Sequence, residues 1–382
     1  MDAYITDIAS FLPNTPLDND LLESVLGMIN QVPSRTRKII SRNNGIRKRY
    51  YAIDPVSGEI THTNAQLAAE AVKRLKPYDN FTPSHIQILC CGTSSPDQLM
   101  PGHASMVHGE IKGGPLEAVS TAGICLSGIT ALKYAAMSVA LGETKNGVAT
   151  GSELASSYLH ARICGPVSPE RAKKLEKQPG LSFEADFLRW MLSDGAGAVF
   201  LSHKPSPDRP SLRIDWINNI SHAHSMEPCM FAGAVKHSDG SLKGWRQFNS
   251  LNEAVSAEAF PVKQDAKLLN DAVLPVLVGR SLPLLISKYN LKPKAITWFL
   301  PHYSSKYFRQ RLYDSLRDTG LEIPFARWFT NLSTKGNTGS AAIYIVMEEL
   351  FNSGRLKQGD TLFCFIPESG RFSVGYMHLT VV

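Results

Sequence analysis

The chain has 382 residues, a hydrophobic fraction of 43% and a formal net charge of +6 at neutral pH. This length and apolar content are enough for a large core, and the length allows two domains. The positive charge is mild for the size and too diffuse for a nucleic-acid-binding surface. It suits an acidic carrier protein or a phosphate-bearing thioester as a partner.

The six cysteines and the N-terminal segment exclude further classes. Because the sequence contains no Cys-x-x-Cys pair, it indicates neither a zinc site nor a disulfide framework, and we expect a reducing cytosol as the compartment. The first seven residues lack the basic-then-apolar pattern of a signal peptide. No stretch approaches 18 uninterrupted apolar residues, so we expect no membrane-spanning helix.

Predicted strands and helices alternate along the chain, which favours a layered α/β fold with buried sheets. The predicted strands are 3–9, 85–92, 116–121, 146–151, 196–202, 295–301, 326–331, 361–367 and 373–381. The predicted helices are 64–76, 127–141, 266–289, 305–318 and 340–353. Three prolines in 203–210 indicate a surface connector, which divides the chain into halves 1–205 and 206–382. The segments 160–190 and 221–260 are interpreted as added loops that either shape a substrate tunnel or decorate the surface.

A cysteine lies where the predicted strand 116–121 passes into the helix 127–141. The surrounding sequence, Ser-Thr-Ala-Gly-Ile-Cys-Leu-Ser-Gly over 120–128, is rich in small residues that let a substrate carbonyl approach Cys125. The helix dipole favours a thiolate at this position, so we expect a lowered thiol pKa and a nucleophile. A buried cysteine that only packs is the alternative for this segment taken alone.

Two later segments place polar side chains at the ends of regular elements. A Pro-His pair closes the apolar strand 296–301 with His302, and a polar loop carries Asn337 just before a helix that begins near Ser340. Active sites of layered α/β folds gather at such ends. Cys, His and Asn in this order suit a nucleophile with two hydrogen-bond donors for an oxyanion or enolate.

These segments resemble the β-ketoacyl-acyl-carrier-protein (ACP) synthase III branch of the thiolase superfamily, in family order and nearly end to end. Three more segments carry the resemblance: Asn-Gly-Ile-Arg-Lys-Arg at 44–49, Leu-Ser-Asp-Gly-Ala-Gly-Ala-Val at 192–199, and the closing strand with its glycine loop at 359–372. The resemblance implies a thiolase-like α/β fold of two similar βαβ halves in a layered α-β-α-β-α arrangement. It implies no metal or redox cofactor.

The chain departs from the housekeeping members of that branch near the catalytic positions. Tyr303-Ser304-Ser305 follows the histidine in place of Gln-Ala-Asn, Leu-Ser-Gly follows the cysteine, and Arg371 stands in the glycine loop where Gly is common. The three catalytic residues remain intact. The departures favour a relative from specialised metabolism, such as the group that forms dialkylresorcinols and stilbene-type rings.

The resemblance also implies a mechanism. Cys125 attacks an acyl thioester, and backbone N–H groups of Cys125 and of the 370–371 loop, assigned to Arg371, hold the oxyanion. His302 and Asn337 then donate to the carbonyl of a second thioester, malonyl or β-ketoacyl, whose carbanion forms a carbon–carbon bond. A phosphopantetheine arm, of ACP or of CoA, is the implied handle of both substrates.

Other roles stay open at this stage. Glu153 is either an acid/base residue for ring closure or a structural carboxylate, and Lys306 and Arg309 are candidates for carrier docking. The branch works as a homodimer, so we expect Met100 or a neighbour to line the partner's acyl pocket. Besides a ketosynthase, with or without cyclisation, the sequence leaves open a chain-initiating synthase III and an acyltransferase to a hydroxyl or amine. The intact triad disfavours a non-catalytic partner subunit.

Overall fold

A computed structural model describes residues 2–34, 36–164 and 187–382, so most of the predicted insertion 160–190 lies outside the described residues. Within this part of the chain, nine strands form one mixed sheet, and six short strands pair outside it in three two-stranded sheets. The strands are β1 Tyr4–Phe11, β2 Leu17–Asp18, β3 Lys48–Arg49, β4 Ile88–Thr93, β5 Glu117–Ala122, β6 Asn146–Glu153, β7 Gly195–Ser202, β8 Leu212–Ser221, β9 Met230–Phe231, β10 Ala234–Lys236, β11 Leu242–Gly244, β12 Lys263–Gln264, β13 Trp298–Pro301, β14 Thr361–Glu368 and β15 Ser373–Val381.

The two halves of the sheet follow the same strand order. In the first half the order β5-β4-β6-β7-β1 places the third, second, fourth, fifth and first strands side by side. In the second half β13-β14-β15-β8 repeats the second, fourth, fifth and first positions, and a single parallel bridge from Phe299 to Trp328 takes the third. The halves join where β1 pairs with β8. The predicted division at residue 205 falls between β7 and β8 and stays a prediction.

The helices pack on the faces of this sheet. They are α1 Leu22–Leu26, α2 Arg37–Asn44, α3 Asn64–Lys73, α4 His103–Ile111, α5 Leu126–Leu141, α6 Ser156–Leu159, α7 Ala161–Cys164, α8 Leu251–Ser256, α9 Ala266–Leu274, α10 Leu282–Tyr289, α11 Tyr307–Asp318, α12 Leu332–Lys335 and α13 Ala342–Phe351. The helices α5 and α13 share one apolar cluster, in which Ile129 and Leu132 join Ile343 and Met347. Their small and apolar residues allow both helices to be buried at the centre of the fold.

Gly128 in α5 and Gly151 in β6 allow the segment before α13 to approach closely. A Cβ atom on either Gly128 or Gly151 would lie only 2.3 Å from the carbonyl oxygen of Ser340. Glycine is therefore required at both positions, because any side chain would collide with that backbone. The Tyr344 hydroxyl also donates to the Gly128 carbonyl at 2.8 Å. The segment before α13 is thereby packed directly against the first turn of α5.

Two predicted elements differ in the structure, and one observed strand was not predicted. The helix predicted at 266–289 is divided into α9, a π-helical segment Pro275–Arg280 and α10, because Pro275 has no N–H for the helix ladder. The strand predicted at 326–331 is wrong: a 3-10 turn Phe325–Arg327 leads towards α12, and Trp328 packs its ring against Phe299. Strand β8 was not predicted, although Leu212, Ile214 and Trp216 alternate along it.

One segment of the described residues, Ala266–Tyr289, is long and apolar enough by length and composition to cross a membrane. Half of its most apolar window is buried inside the fold. Leu269, Val273, Leu277 and Leu282 from this segment belong to a hydrophobic core cluster that both halves build. The segment therefore has the character of a core helix.

Candidate active site

Cys125 is the N-cap residue of α5 and follows β5 through a short turn. Its half-buried side chain lines a cavity of about 360 Å³ that His302 and Asn337 also line. The cavity falls within the range of roughly 300–1,000 Å³ that small-molecule sites occupy. The three residues that the sequence predicts to act together are therefore brought to one cavity.

His302 follows β13 at the end of its parallel pairing with β14. Its peptide N–H donates to the Phe365 carbonyl at 2.8 Å, which fixes the backbone at this position. Burial lowers the pKa of the His302 imidazole to about 4. The ring is therefore neutral near pH 7 and is able to accept or donate one proton.

Asn337 lies in the loop between α12 and the 3-10 turn Gly339–Ala341. Its peptide N–H donates to the Met191 carbonyl at 3.1 Å, and its carbonyl accepts from Ser193 at 2.9 Å. The side-chain Oδ1 accepts from the Gly339 N–H at 3.0 Å. With Oδ1 engaged in this way, the amide NH₂ group is the part of the side chain oriented to donate.

The prediction of a lowered thiol pKa at Cys125 is wrong. Burial, and next the carboxylates of Glu368 and Glu153, raise the pKa of the Cys125 thiol well above its usual range. The helix dipole is offset here because Glu368 places its own negative charge on the α5 N-terminus. The resting thiol is therefore neutral and needs a proton acceptor to act as the predicted nucleophile, and the neutral ring of His302 lines the same cavity.

Glu153, the last residue of β6, lines the cavity and accepts four hydrogen bonds. The donors are the Ser94 N–H at 3.2 Å, the Ser94 hydroxyl at 2.6 Å, the Ser95 hydroxyl at 2.9 Å and the Ser340 N–H at 3.1 Å. Burial raises the pKa of Glu153, while these donors act in the opposite direction. The contacts tie the loop after β4 to the segment before α13, which supports the structural alternative for this carboxylate.

Glu368 is a site residue that sequence reasoning missed. Its carboxylate accepts from the peptide N–H groups of Ile124 at 2.8 Å and Leu126 at 2.9 Å, the two neighbours of Cys125. The available signal was a glutamate at the end of an otherwise apolar strand, Thr-Leu-Phe-Cys-Phe-Ile-Pro-Glu, next to the glycine loop. A charged side chain at the end of a buried strand usually has a hydrogen-bond or ion-pair partner, because burying an unpaired charge is costly.

The remaining predicted site residues, Met100, Lys306, Arg309 and Arg371, do not line the cavity. Met100 is 77% exposed, and Lys306 is exposed at the start of α11. Arg309 is half-buried with its guanidinium 3.8 Å above the Phe325 ring, so it is less available for docking than Lys306. Arg371 is exposed and donates its Nε–H to the Met226 carbonyl. Its backbone role stays a prediction, and the structure brings Gly370 next to Ile124.

The insertion 221–260 contributes to the cavity wall, which supports the tunnel-shaping alternative. Met230 and Phe231 of β9 line the cavity, and β9 pairs with β12. The Cys229 N–H just before β9 donates to the Gly370 carbonyl at 2.8 Å, which attaches the insertion to the glycine loop. The second half supplies much of the remaining apolar lining: Leu269, Val273, Leu274, Phe308, Leu312 and Phe365.

Within residues 2–34, 36–164 and 187–382, no group of three or more His, Cys, Asp or Glu side chains could hold a metal ion.

The chain is similar to known condensing enzymes along nearly its whole length. A sequence profile described as "3-Oxoacyl-[acyl-carrier-protein (ACP)] synthase III C terminal" matches residues 286–370. A β-ketoacyl-ACP synthase III of Microcystis aeruginosa is 26% identical over 371 residues, which cover 94% of this chain and 91% of the relative. The corresponding enzyme of Chlorobaculum tepidum is 22% identical over 366 residues, covering 95% of this chain and 94% of the relative.

Solved structures share the fold. The tetronic acid condensing enzyme AbyA1 superimposes with a TM-score of 0.73 at 20% identity, over 99% of each chain. OleA of Xanthomonas campestris, crystallised with lauric acid and lauroyl-CoA, gives a TM-score of 0.72 at 18% identity, over 100% of this chain and 99% of that one. These comparisons confirm the predicted resemblance, the thiolase-like fold and the general class of condensing acyltransferase.

Proposed function

The chain is a homologue of the β-ketoacyl-ACP synthase III condensing enzymes, and we propose that it joins two thioester-bound acyl groups through an acyl intermediate on Cys125. The observation that carries this proposal is the single cavity lined by Cys125, His302 and Asn337. A nucleophile and two possible donors around one apolar chamber are what such a condensation needs.

In the acylation step the neutral Cys125 thiol attacks the carbonyl carbon of an acyl thioester. The neutral imidazole of His302 accepts the thiol proton and returns it to the departing phosphopantetheine thiol, so the carbon–sulfur bond to the carrier breaks as the one to Cys125 forms. The Cys125 N–H is a candidate donor to the oxyanion, because Glu368 accepts from the residues on either side but not from Cys125 itself.

In the condensation step the second thioester replaces the released carrier. His302 and the Asn337 NH₂ group donate to its carbonyl while negative charge develops, either as a malonyl group loses CO₂ or as a β-ketoacyl group loses a proton. The carbanion attacks the acyl carbon, and a carbon–carbon bond forms as the Cys125 sulfur leaves as a thiolate. The thiolate takes up one proton, from water after the loss of CO₂ or, in the other case, the proton that the β-ketoacyl group released. Each lost donor is expected to cost about 10²–10³-fold in turnover.

The long apolar wall supports a substantial acyl chain as the first substrate. Besides Cys125, the cavity is lined by Val273 and Leu312 of the second half and by Met230 of the insertion. Such side chains bind alkyl or polyene chains by apolar contact alone. We therefore keep ring formation from two such chains, as in the dialkylresorcinol group, as the finer proposal, with plain chain initiation as the alternative.

Glu153 has a positioning role in this proposal rather than the role of a base for ring closure. Four donors already satisfy its two oxygens, so a proton transfer through Glu153 would have to displace some of these bonds. An acyltransferase that delivers to a hydroxyl or amine would use the same first step. Product analysis distinguishes it from a ketosynthase.

A homodimer is the second part of the proposal, and the edge strand β5 supports it. β5 ends the sheet, and its residues Glu117, Ala118, Ser120 and Ala122 are exposed, so its outer edge is open to pairing with a second copy. Next to it, α5 exposes Tyr134, Met137 and Leu141, spaced for one helix face. Met100, on the loop after β4, would then meet the partner.

The test of the dimer compares two apolar-to-charged changes. Met137→Glu is expected to shift the chain from twice the monomer mass to the monomer mass in light scattering at micromolar concentration. Val56→Glu, at a site that is 95% exposed in a separate loop, is the matched control and is expected to stay dimeric. A monomeric wild-type protein would contradict this part of the proposal.

The test of the enzymatic function is acyl transfer followed by mass spectrometry. We expect incubation with a long-chain acyl thioester to add one acyl group to the Cys125 peptide, and Cys125→Ala to abolish the adduct. Cys229→Ala, at a buried cysteine outside the cavity, is the matched control and keeps the adduct. An undiminished adduct on the Cys125→Ala protein would overturn the proposal. Supplying malonyl-ACP or a β-ketoacyl thioester next then identifies the product.

A further inference from the structure

Glu368 connects the two halves at the nucleophile. It is the last residue of β14 in the second half, yet its Oε2 accepts hydrogen bonds from Ile124 and Leu126 in the first half, at 2.8 and 2.9 Å. These are the peptide groups immediately before and after Cys125. Both bonds are charge-assisted, so they are stronger than bonds between neutral groups.

We propose that Glu368 is a positioning residue for Cys125. The Glu368 carboxylate clamps the turn that carries the nucleophile and, in its ionised form, places a negative charge beside the sulfur. The inference rests on the proposed function, in which Cys125 is the residue acylated. It adds a role for a residue that takes no part in the proton transfers described above. Two separate effects follow, one of the clamp and one of the charge.

The surroundings of Glu368 leave room for a carboxylate. A Cβ atom on Gly123 would lie 3.4 Å from Oε2, and one on Gly370 would lie 3.4 Å from Oε1. A Cβ atom at either position would be in van der Waals contact with the carboxylate, so a glycine borders each of its oxygens. The Gly370 position would also bring a Cβ atom within 2.9 Å of Ile124 Cδ1, which shows how closely the glycine loop packs on this turn.

The charge of Glu368 acts on the sulfur together with a few other groups. The titratable side chains that face Cys125 across the cavity are Glu153 from β6, His302 after β13, Tyr158 from α6 and Tyr303. Burial makes the largest contribution to the raised pKa of the thiol, and Glu368 makes the next. The negative charge therefore favours the neutral thiol until His302 accepts its proton, which limits reaction with electrophiles other than a bound thioester.

The experiment measures iodoacetamide alkylation of the Cys125 peptide against pH, in the full-length protein without substrate. Glu368→Gln removes the charge but keeps an oxygen for the two N–H groups. We expect its alkylation midpoint to fall by about one pH unit, with roughly tenfold faster alkylation at a fixed pH below that midpoint. Glu59→Gln, at an exposed carboxylate in the loop before α3, is the matched control and leaves the midpoint in place.

A second variant separates the clamp from the charge. Glu368→Asp keeps the charge but is one methylene too short to reach both N–H groups, so we expect an unshifted alkylation midpoint and acyl transfer at least tenfold slower than wild type. An unshifted midpoint in Glu368→Gln would overturn the effect of the charge. Wild-type acyl transfer in Glu368→Asp would overturn the clamp. If Glu368→Gln fails to fold, the Asp variant alone still decides the clamp.

The alkylation measurement is independent of the proposed enzymatic function. Alkylation reports the thiol of Cys125 whether or not an acyl group is ever transferred to it. A shifted midpoint without acyl transfer would therefore retain the influence of Glu368 and reject the ketosynthase. Normal acyl transfer with no shift in Glu368→Gln would retain the ketosynthase and reject the influence of its charge.

Discussion

Glu153 and Glu368 occupy equivalent places in the two halves of the molecule. Each is the last residue of the fourth strand position of its half, and each carboxylate crosses to the segment that begins the central helix of the other half. Glu153 accepts from Ser340 before α13, and Glu368 accepts from Leu126 at the start of α5. The pair thereby holds the nucleophile's turn and the Asn337 loop in one relative position.

The two carboxylates differ in how completely they are bound. Glu153 is 3% exposed and receives four hydrogen bonds over both oxygens. Glu368 is half-buried, and its two backbone bonds both end on Oε2. The difference teaches that the same position in a repeated half can carry a fully hydrogen-bonded structural carboxylate on one side and a carboxylate that acts on the Cys125 thiol on the other.

The largest expected effect is the loss of condensation when either of the two proposed donors, His302 or Asn337, is replaced. His302→Ala and Asn337→Ala are each expected to lower condensation by about 10²–10³-fold, because a donor to the developing enolate is lost. Asn337→Ala should still form the acyl adduct at close to the wild-type yield, and His302→Ala should form it more slowly. Single-turnover product formation and the intact-protein mass measure the two steps separately. Wild-type condensation in both variants would contradict the assigned roles.

The next largest effect is expected from a steric clash between the first turn of α5 and the segment before α13, which should lower the unfolding free energy. Gly128→Ala places a Cβ atom 2.3 Å from the Ser340 carbonyl oxygen, so we expect a loss of about 1–3 kcal/mol of unfolding free energy and a fall in both reaction steps. Gly109→Ala on α4, where a Cβ atom meets nothing within 4 Å, is the matched control. Denaturant unfolding measures both, and the control should be unchanged or slightly more stable.

Substitutions of Glu153 test the difference between the two carboxylates. Glu153→Ala leaves the Ser94, Ser95 and Ser340 donors without their acceptor, and we expect it to cost about 1–3 kcal/mol of unfolding free energy. Glu153→Gln should cost less, since an oxygen remains, and it should shift the Cys125 alkylation midpoint less than Glu368→Gln does. A larger shift from Glu153→Gln would reverse the roles assigned to the two residues.

The smallest expected effect is a pH dependence from two buried histidines, one in each half. Burial lowers the pKa of His103 and of His302 to about 4, so the unfolded state binds more protons between about pH 4 and 6.5 and stability rises with pH in that window. Asp194, whose pKa burial raises to about 6, opposes this rise. Unfolding measured at pH 4.5 and 6.5 should show a smaller rise in His103→Gln than in wild type, and an equal rise would contradict it.

The sequence by itself determined the local features of this protein. The apolar segments predicted eight of the sheet strands near their observed bounds, and the turn before α5, the end of β13 and the loop before α13 singled out Cys125, His302 and Asn337. The strand predictions agree with the structure because a strand or helix end depends mainly on neighbouring residues, through periodicity, proline and glycine. The roles of the three side chains stay predictions. The neutral state of the thiol could not be predicted in this way.

The tertiary structure decided the properties that depend on groups distant in the sequence. Glu368 meets Cys125 across 243 positions of the chain, and its charge, with burial, reverses the effect that a helix N-terminus alone would have on the thiol. The segment 326–331 likewise has strand-like residues. The ring of Trp328 packs on Phe299, and the segment pairs with β13 through a single parallel bridge between these two residues. Electrostatic fields and packing act through space, so only the folded arrangement fixes them.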